Sequence, residues 1–581
     1  MDKKKLTQEQ VYQICEKQGF IPVDLSNFDL QGIDLSWSLY GEANLLNANF
    51  QASDLRQADF HQADLRQSNF SKSDLRRAVL AYADLEGTKL IEANLENANL
   101  TGANLQRAVM SKANLSNAIL WNGNLEMADL TETTLNNADL SKADLSNAKL
   151  NNANLKEARL MESCLRNVDL SKANLSGSDL SNSDLRGANL SNADLRDVDL
   201  SNAELRGTNL KGAFVDNTTQ IDVKYRIVWE ILSSESTTRD LKGIDLSGAF
   251  LNEADLKLSN LSKANLSQAV LSNTILFDAE LTEADLTEAD LRNAQLIHAD
   301  LRNADLRGGQ LDNADLRGAF LQGTKLQKVI LRNANLWETW FEQPDLREAD
   351  LRGAFLRGAT LNSADLRKAD LRDAYLREAI LGGTDLSQAD LRKADLRGAY
   401  MERVDLKEAD LRGADLRDVN LKDANLRGAD LRGADIRGAY LRNALVNEAT
   451  QFGPEAHTVW EITVGRRNFK DIDLRNANFS MFNLHNENFN GYDLRGINLS
   501  GAYLDGTNLS EVDLSGASLK SAKLRGVDLS QSDLSYANLY YADLSNADLR
   551  GTKLVGANLT HAILKDIVAD EHTEWPKGFE I

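Results

Sequence analysis

Arginine and aspartate recur in this sequence at fixed steps of twenty. Arg332, Arg352, Arg372, Arg392, Arg412 and Arg432 form one series, and Arg357, Arg377, Arg397, Arg417 and Arg437 a second; Asp350, Asp370, Asp390, Asp410 and Asp430 run beside the first. A column of guanidinium groups could hold phosphate, and a column of carboxylates could hold calcium. Like charges stacked at a strand spacing of about 4.8 Å repel, and a neighbouring column of opposite sign relieves the repulsion. Ion-pair ladders are therefore expected, and they cancel the field that nucleic acid needs. The Gly-Gly-x-Gly-x-Asp nonapeptide of calcium-binding solenoids is missing. The six histidines (His61, His298, His457, His485, His561, His572) are scattered without metal-ligand spacing, and no Ser or Cys stands beside an evident base. His485 next to Glu487 reads as structural. With no phosphate loop or dinucleotide fingerprint, the expectation is a noncatalytic protein with no metal and no cofactor.

What positions these columns is a repeat. A leucine, or a residue of its size, falls on every fifth position from Leu25 to Val215, from Leu241 to Val446 and from Phe469 to Leu564. The local pattern is Ala, Asp or Asn, Leu, then two polar residues, as in Ala63-Asp64-Leu65-Arg66-Gln67. A period of five fits neither a helix nor a long strand. It is satisfied if each pentad is one short extended side and a corner, with four pentads closing a 20-residue coil. With the Leu at position i, Leu and the small residue at i−2 point inward, while i−1, i+1 and i+2 face water. Gly308, Gly318, Gly353 and Gly413 at i+2 suit a corner.

On these residues the chain resembles the pentapeptide-repeat family over 25 to 564, apart from two interruptions. The resemblance implies an all-β solenoid, a right-handed quadrilateral β-helix with four repeats per coil. A leucine-rich repeat, the runner-up, needs a Leu-x-x-Leu-x-Leu unit of roughly 20 to 29 residues that is absent. The interruptions and the Trp-Pro-x-Gly-Phe tail resemble those of multi-module members common in cyanobacteria. Some members bind DNA gyrase as acidic, duplex-shaped dimers and protect it from inhibitors. A DNA-mimicking binder and protector of a type II topoisomerase is thus the alternative function, although the Arg columns here neutralise much of the Asp.

The interruptions share a form. Thr219-Gln220-Ile221 and Thr450-Gln451-Phe452 each precede a short amphipathic segment, and Thr573-Glu574-Trp575 repeats the first half. Thr-Gln/Glu-apolar reads as an end mark for a stack. Asp222 is placed to cap a helix with Tyr225, Val228, Trp229 and Leu232 on one face; Pro454 and Gly465 bracket a second; Thr7 and Gln10 make a capping box for a third with Val11, Ile14 and Cys15 on one stripe. Three stacks follow, with domains at 1–221, 222–452 and 453–581, each opened by its helix. The helices are needed because an open coil exposes strand edges. Val23, Phe28, Ile33, Ile244, Ile472, Phe482 and Tyr492 replace the small i−2 residue in the opening coils and are expected to pack under them. Trp229 and Trp460 read as parts of caps before anchors for partners.

The 581 residues carry a formal charge of −21, spread over all three stacks, which suits an acidic, soluble protein. Cys15 and Cys164 give no disulfide framework, the start has no apolar leader, and no run approaches a membrane span, so a cytoplasmic location without membrane insertion is expected. One stretch breaks the pentad code: Leu336-Trp337-Glu338-Thr339-Trp340-Phe341-Glu342-Gln343-Pro344 has two Trp at outward positions and Pro344 where Ala belongs. Trp340 shares a column with Phe320, Ile380, Tyr400 and Tyr440, broken by Thr360 and Asn420; Phe355 and Tyr375 stack on the neighbouring face. Exposed aromatics on a rigid surface suit a protein interface. The function expected is a noncatalytic scaffold or adaptor with an unidentified protein partner, Phe320, Trp337, Trp340, Phe355, Tyr375, Tyr400 and Tyr440 forming the candidate interface. No nucleic-acid partner is expected, and the stack ends leave room for a homo-oligomer.

Overall fold

The pentad Ala63–Gln67 shows why the repeat folds. Each of its five main-chain N–H groups has a separate acceptor in the computed structural model. Ala63 N–H closes a turn on Phe60 C=O (3.1 Å), Asp64 N–H reaches Ala43 C=O one coil back (2.9 Å), and Leu65 and Gln67 N–H reach Asp84 and Glu86 C=O one coil on (2.8 and 2.9 Å). The remaining donor, Arg66 N–H, is taken by Asp64 Oδ1 at 3.2 Å. The same side-chain bond recurs from Ser26 with Asp24 to Thr560 with Asn558. The Asp or Asn at i−1 is thus a main-chain acceptor before it is a surface charge, which supplies the partner that a turn N–H otherwise lacks.

The corner residue at i+2 takes the left-handed region at nearly every pentad. Gly308 and Gly413 do so at φ 68°, but so do Gln67 (59°), Lys142 (61°) and Glu348 (58°). A non-glycine residue there costs about 1 kcal/mol. The conformation turns its N–H along the coil axis onto the next coil, as Gln67 shows, and the bond offsets the strain.

The structure describes residues 4–18, 23–36, 39–234, 238–453 and 473–579. Parallel bridges link i−1 residues twenty apart on four sides: Asp24 to Asn44, Asp29 to Asn49, Asp34 to Asp54 and Leu39 to Asp59 begin the columns. The Leu columns and the small i−2 residues are buried, as at Leu65, Ala63, Leu371 and Ala374. Phe50 and Phe70, one coil apart in the core, stack with ring centroids 4.7 Å apart. Where Thr replaces Ala at i−2, its hydroxyl donates to a Leu C=O one coil away, as from Thr88 to Leu65 at 2.9 Å.

By contacts the chain divides into two compact units: Met1–Thr237 with Asp245–Asp255 and Leu266–Leu271, and Thr238–Ile244 with Leu256–Asn265 and Ser272–Ile581. In the first, strand β1 (Lys4–Lys5) pairs in parallel with β2 (Phe28–Asp29), and helix α1 (Gln8–Gln18) follows it. The capping box forms, Thr7 N–H to Gln10 Oε1 at 2.9 Å and Gln10 N–H to Thr7 Oγ1 at 3.3 Å. Val11 is buried, and Ile14, Cys15 and Phe28 pack against the core. Gln8 accepts from Asp34 N–H with its Oε1 (2.9 Å) and donates from Nε2 to Asp34 C=O, taking the place of a strand on that side. The open edge is thereby covered.

Helix α2 (Val223–Ser233) starts at Asp222, whose carboxylate accepts Lys224 N–H at 2.8 Å. Val228 and Ile231 are buried. Helix α2 packs on the coils before it and also bonds the coil that follows. Trp229 Nε1 donates to Ala213 C=O (2.8 Å), Arg226 donates to Thr219 C=O (2.7 Å), and Tyr225, Trp229 and Leu232 pack on the preceding core, where burial pushes Tyr225 up to about 12. Lys224 also bonds Asp245 (3.1 Å) and Ser247 (2.9 Å), and Gly207 N–H bonds Gly248 C=O (2.8 Å).

The end marks are longer than their sequence signature. Thr219, Thr450 and Thr573 donate to Leu195, Leu426 and Leu549 C=O at 2.8, 2.9 and 2.9 Å. Each accepts the N–H of an Asp or Asn three residues earlier: Asp216, Asn447 and Asp570, at 3.2, 3.1 and 3.1 Å. The following residue then bridges with a register of twenty-one: Asp199 to Gln220, Lys553 to Glu574, and Asp430 to Gln451 in the pairing of β3 (Asp430–Leu431) with β4 (Gln451–Phe452). One extra residue thus ends each stack. The segment with Pro454, Trp460, Gly465 and Ile472 lies outside the described residues.

Candidate binding face

In the second unit the two guanidinium series lie along the coils as ladders. Arg372 donates to Asp370 at 2.8 Å from Nε and lies 3.5 Å from Asp390; Arg417 stands likewise to Asp415 and, at 3.6 Å, to Asp435. The bond from Arg367 holds Asp365 below the usual carboxylate range, and Arg412 and Arg417 do the same for Asp410 and Asp415. The ladders pair opposite charges along three sides of the coil.

The aromatic positions interrupt this order. Phe320, Trp340, Phe355, Tyr375, Ile380 and Tyr400 occupy i−1 positions where Asp or Asn would stand, and Trp337 an i+1 position. They range from 39% exposed at Ile380 to 63% at Trp340. Phe355 and Tyr375 stack at 4.9 Å with rings 2° from parallel. Tyr400 lies against Gly382, where a Cβ would come 3.1 Å from the ring, and its hydroxyl donates to Glu402 at 2.6 Å. Because an aromatic ring cannot accept the i+1 N–H as an Asp does, Gln322, Glu342, Arg357, Arg377 and Glu402 have no acceptor for that group among the described residues. Pro344 lacks the N–H that would close the turn on Phe341 C=O. Tyr440 stands apart: it is half-buried, in a cleft with Asn420, His485 and Tyr503.

The remaining candidates for chemistry find local partners. His61 sits 3.0 Å from Asp59, His298 3.6 Å from Asp278, and His561 stacks on Tyr541 at 4.7 Å; His457 lies outside the described residues. Among the described residues no group of three or more His, Cys, Asp or Glu is placed to hold a metal, and no helix is long and apolar enough to cross a membrane.

Glu487 is the exception. It stands half-buried at an inward i−2 position between Leu484 and Phe489, and burial pushes its carboxyl up to about 7, with Arg442 pulling the other way. The folded state therefore binds a proton that the unfolded state, near 4.3, has released. Stability from this group is full below about pH 4 and lost as pH rises through 7. Glu487→Gln is expected to raise stability at pH 8 by about 1–2 kcal/mol, the full linkage being reduced by water that still reaches the carboxyl. Urea midpoints followed by circular dichroism at pH 5 and pH 8 check it: the gain must appear at pH 8 and shrink at pH 5.

A family profile described as pentapeptide repeats in eight copies matches residues 43–214, 240–343, 345–445 and 493–566 in overlapping segments. The chain belongs to the pentapeptide-repeat family. Its coil is the right-handed quadrilateral β-helix of that family. Among solved pentapeptide-repeat structures it is similar to HetL, involved in heterocyst differentiation regulation in the cyanobacterium Nostoc sp., at 26% identity over 55% of this chain and 96% of that one, TM-score 0.18. A pentapeptide-repeat protein from the cyanobacterium Cyanothece is 42% identical over 19% of this chain and 70% of that one, TM-score 0.11. QnrB1, a plasmid-mediated fluoroquinolone resistance protein, is 17% identical over 44% and 92%, TM-score 0.13. No curated protein matches the chain.

Seen as a pentapeptide-repeat surface, the aromatic face is larger than its sequence signature. Phe277 and Leu258, both exposed, stand at i+1 and i+2 positions of the side that carries Trp337 and Phe355. A separate apolar set lies on the first unit at Tyr82, Ile119 and Trp121, and another on the second at Tyr536 and Tyr541. The signal that finds them all is a large residue at any outward position, whichever of the three it is.

Proposed function

We propose that this protein is a noncatalytic scaffold or adaptor that presents two adjoining faces, one carrying Trp337 and Phe355 and the other Trp340, to a protein partner. The observation that supports this reading is the run of aromatic side chains at positions where the fold otherwise uses an Asp or Asn with a structural task. Each such replacement gives up a side-chain bond to the main chain and exposes apolar surface, two costs that a partner offsets by covering the rings and excluding water. The rigid coil holds the rings in place before binding, so little conformational freedom is lost on association. Two free cysteines, Cys15 and Cys164, and local histidine contacts accord with a reducing, cytoplasmic setting and no chemistry of its own.

The test is affinity capture from the source cell with the wild type and a Trp337→Ser, Trp340→Ser variant. Both side chains are exposed, so the variant should keep its circular dichroism spectrum. A protein retained by the wild type and lost, by roughly tenfold or more, from the folded variant is expected. Equal capture by both would reject this face as the interface, and recovery of gyrase as the retained protein would favour topoisomerase binding instead.

A further inference from the structure

The aromatic face carries a second irregularity, in its charges. In the Asp-x-Arg pentads the guanidinium folds back on the carboxylate two residues before it with two N–H donors: Arg367 on Asp365 at 2.8 and 2.6 Å, Arg392 on Asp390 at 2.9 and 2.6 Å. Arg357 and Arg377 stand in the same kind of column with that carboxylate replaced by Phe355 and Tyr375. Both turn instead to one carboxylate, Glu378, at 3.2 Å from Arg357 and 3.6 Å from Arg377. Two guanidinium groups share one acid, and the main-chain N–H groups of the same two residues have no acceptor among the described residues. Beside them lie the stacked rings of Phe355 and Tyr375, and Trp337 takes the Arg position one coil earlier.

We propose that this spot binds an acidic segment of a protein partner, whose carboxylates take the places of the two missing Asp side chains while neighbouring apolar residues cover the ring pair. The inference rests on the reading of the aromatic face as a protein interface and adds the chemistry of what it holds. The molecule shows repeatedly what an Arg at this position donates to: a carboxylate that takes two guanidinium N–H groups and the residue's own main-chain N–H. A partner's Asp or Glu entering from solvent meets the same fork, the same N–H and a deficit of negative charge. A phosphodiester strand fits less well, because its continuous charge must also pass Glu338, Glu342 and Glu402 at the edges of the face. A peptide can place two carboxylates and turn apolar on either side.

Fluorescence anisotropy with the full chain at physiological salt tests this, using labelled random copolymers of Glu with Tyr and of Lys with Tyr, and a single-stranded oligonucleotide. The Glu–Tyr copolymer should bind in preference to both others. Arg357→Gln with Arg377→Gln should weaken it by roughly tenfold or more. Phe355→Asp with Tyr375→Asp should abolish binding and raise the thermal midpoint, since it restores the ladder; a folding defect would do the reverse. Preference for the oligonucleotide or the Lys–Tyr copolymer, or no binding of Glu–Tyr by the wild type, overturns the proposal. Binding lost in the Trp337→Ser, Trp340→Ser variant but unchanged in the Arg pair overturns the acidic-partner assignment alone and leaves the interface standing.

Discussion

Leu371→Ala is expected to destabilise the second unit by about 4–5 kcal/mol, in the upper part of the range for buried Leu truncation. Leu371 is fully buried, with Leu351 and Leu391 one coil to either side. In a compact core the neighbours of a deleted side chain relax inward and recover part of the loss. Here they cannot, because main-chain bonds on every side hold the coils at a fixed spacing, from Leu371 N–H to Asp390 C=O at 2.7 Å and from Asp390 N–H to Ala369 C=O at 2.9 Å. The cavity stays open and its lining loses contacts outright. The same change at Leu559, in the last coils of the described chain and already 7% exposed, should cost less than half as much because water enters and the end frays. Hydrogen exchange by mass spectrometry separates the cases: Leu371→Ala should weaken protection over several coils in both directions, Leu559→Ala only toward the C-terminus. A similar, local loss in both would show that coils relax independently and that the rigidity assigned to the stack is absent.

That rigidity explains why so much of the fold was legible in the sequence. Leu at every fifth residue with Ala two before it admits one solution, and the columns it implies put Arg372 beside Asp370 and Phe355 on Tyr375 without any knowledge of distant contacts. The Asp and Asn at i−1 were readable as charge and spacing but not as acceptors for the i+1 N–H, because that task depends on how the turn aims a donor. The same holds for the end marks: Thr219 was visible as a repeated letter, whereas Asp216 three residues earlier became part of the motif only through the bond between them. What local pattern could not supply is contact between parts of the chain far apart in number. Tyr440 shares a column with Tyr400 yet lies half-buried beside His485 and Tyr503. The broken charge ladder at Arg357 and Arg377 was present in the letters; it acquires meaning only once the Asp-x-Arg fork is seen to form elsewhere.

Trp229→Ala should destabilise the first unit by about 2–3 kcal/mol. Full burial would put the loss of a Trp at about 3–5 kcal/mol; this side chain is half-buried, so its apolar share is smaller, while its indole N–H bond to Ala213 C=O adds about 1 kcal/mol. The effect should fall on the end of the stack, because Trp229 packs, with Tyr225 and Leu232, on the core that runs through Leu205 and Leu210. The helix is held there by three links that the sequence supplies within a dozen residues: Thr219 anchors the end mark on Leu195, Arg226 reaches back to Thr219 C=O, and Trp229 closes on Ala213. Removing the ring leaves only Tyr225 and Leu232 of that face on the preceding core, which weakens the hold on eleven residues of helix against their conformational entropy. Exchange should therefore rise first in α2 and the coils from 195 to 215, and Trp229→Phe should restore the packing but not the hydrogen bond, for about half the loss. Unchanged stability in Trp229→Ala, with loss of a bound protein, would make this residue an anchor for a partner and leave the stack end to be closed by Tyr225, Leu232 and Arg226.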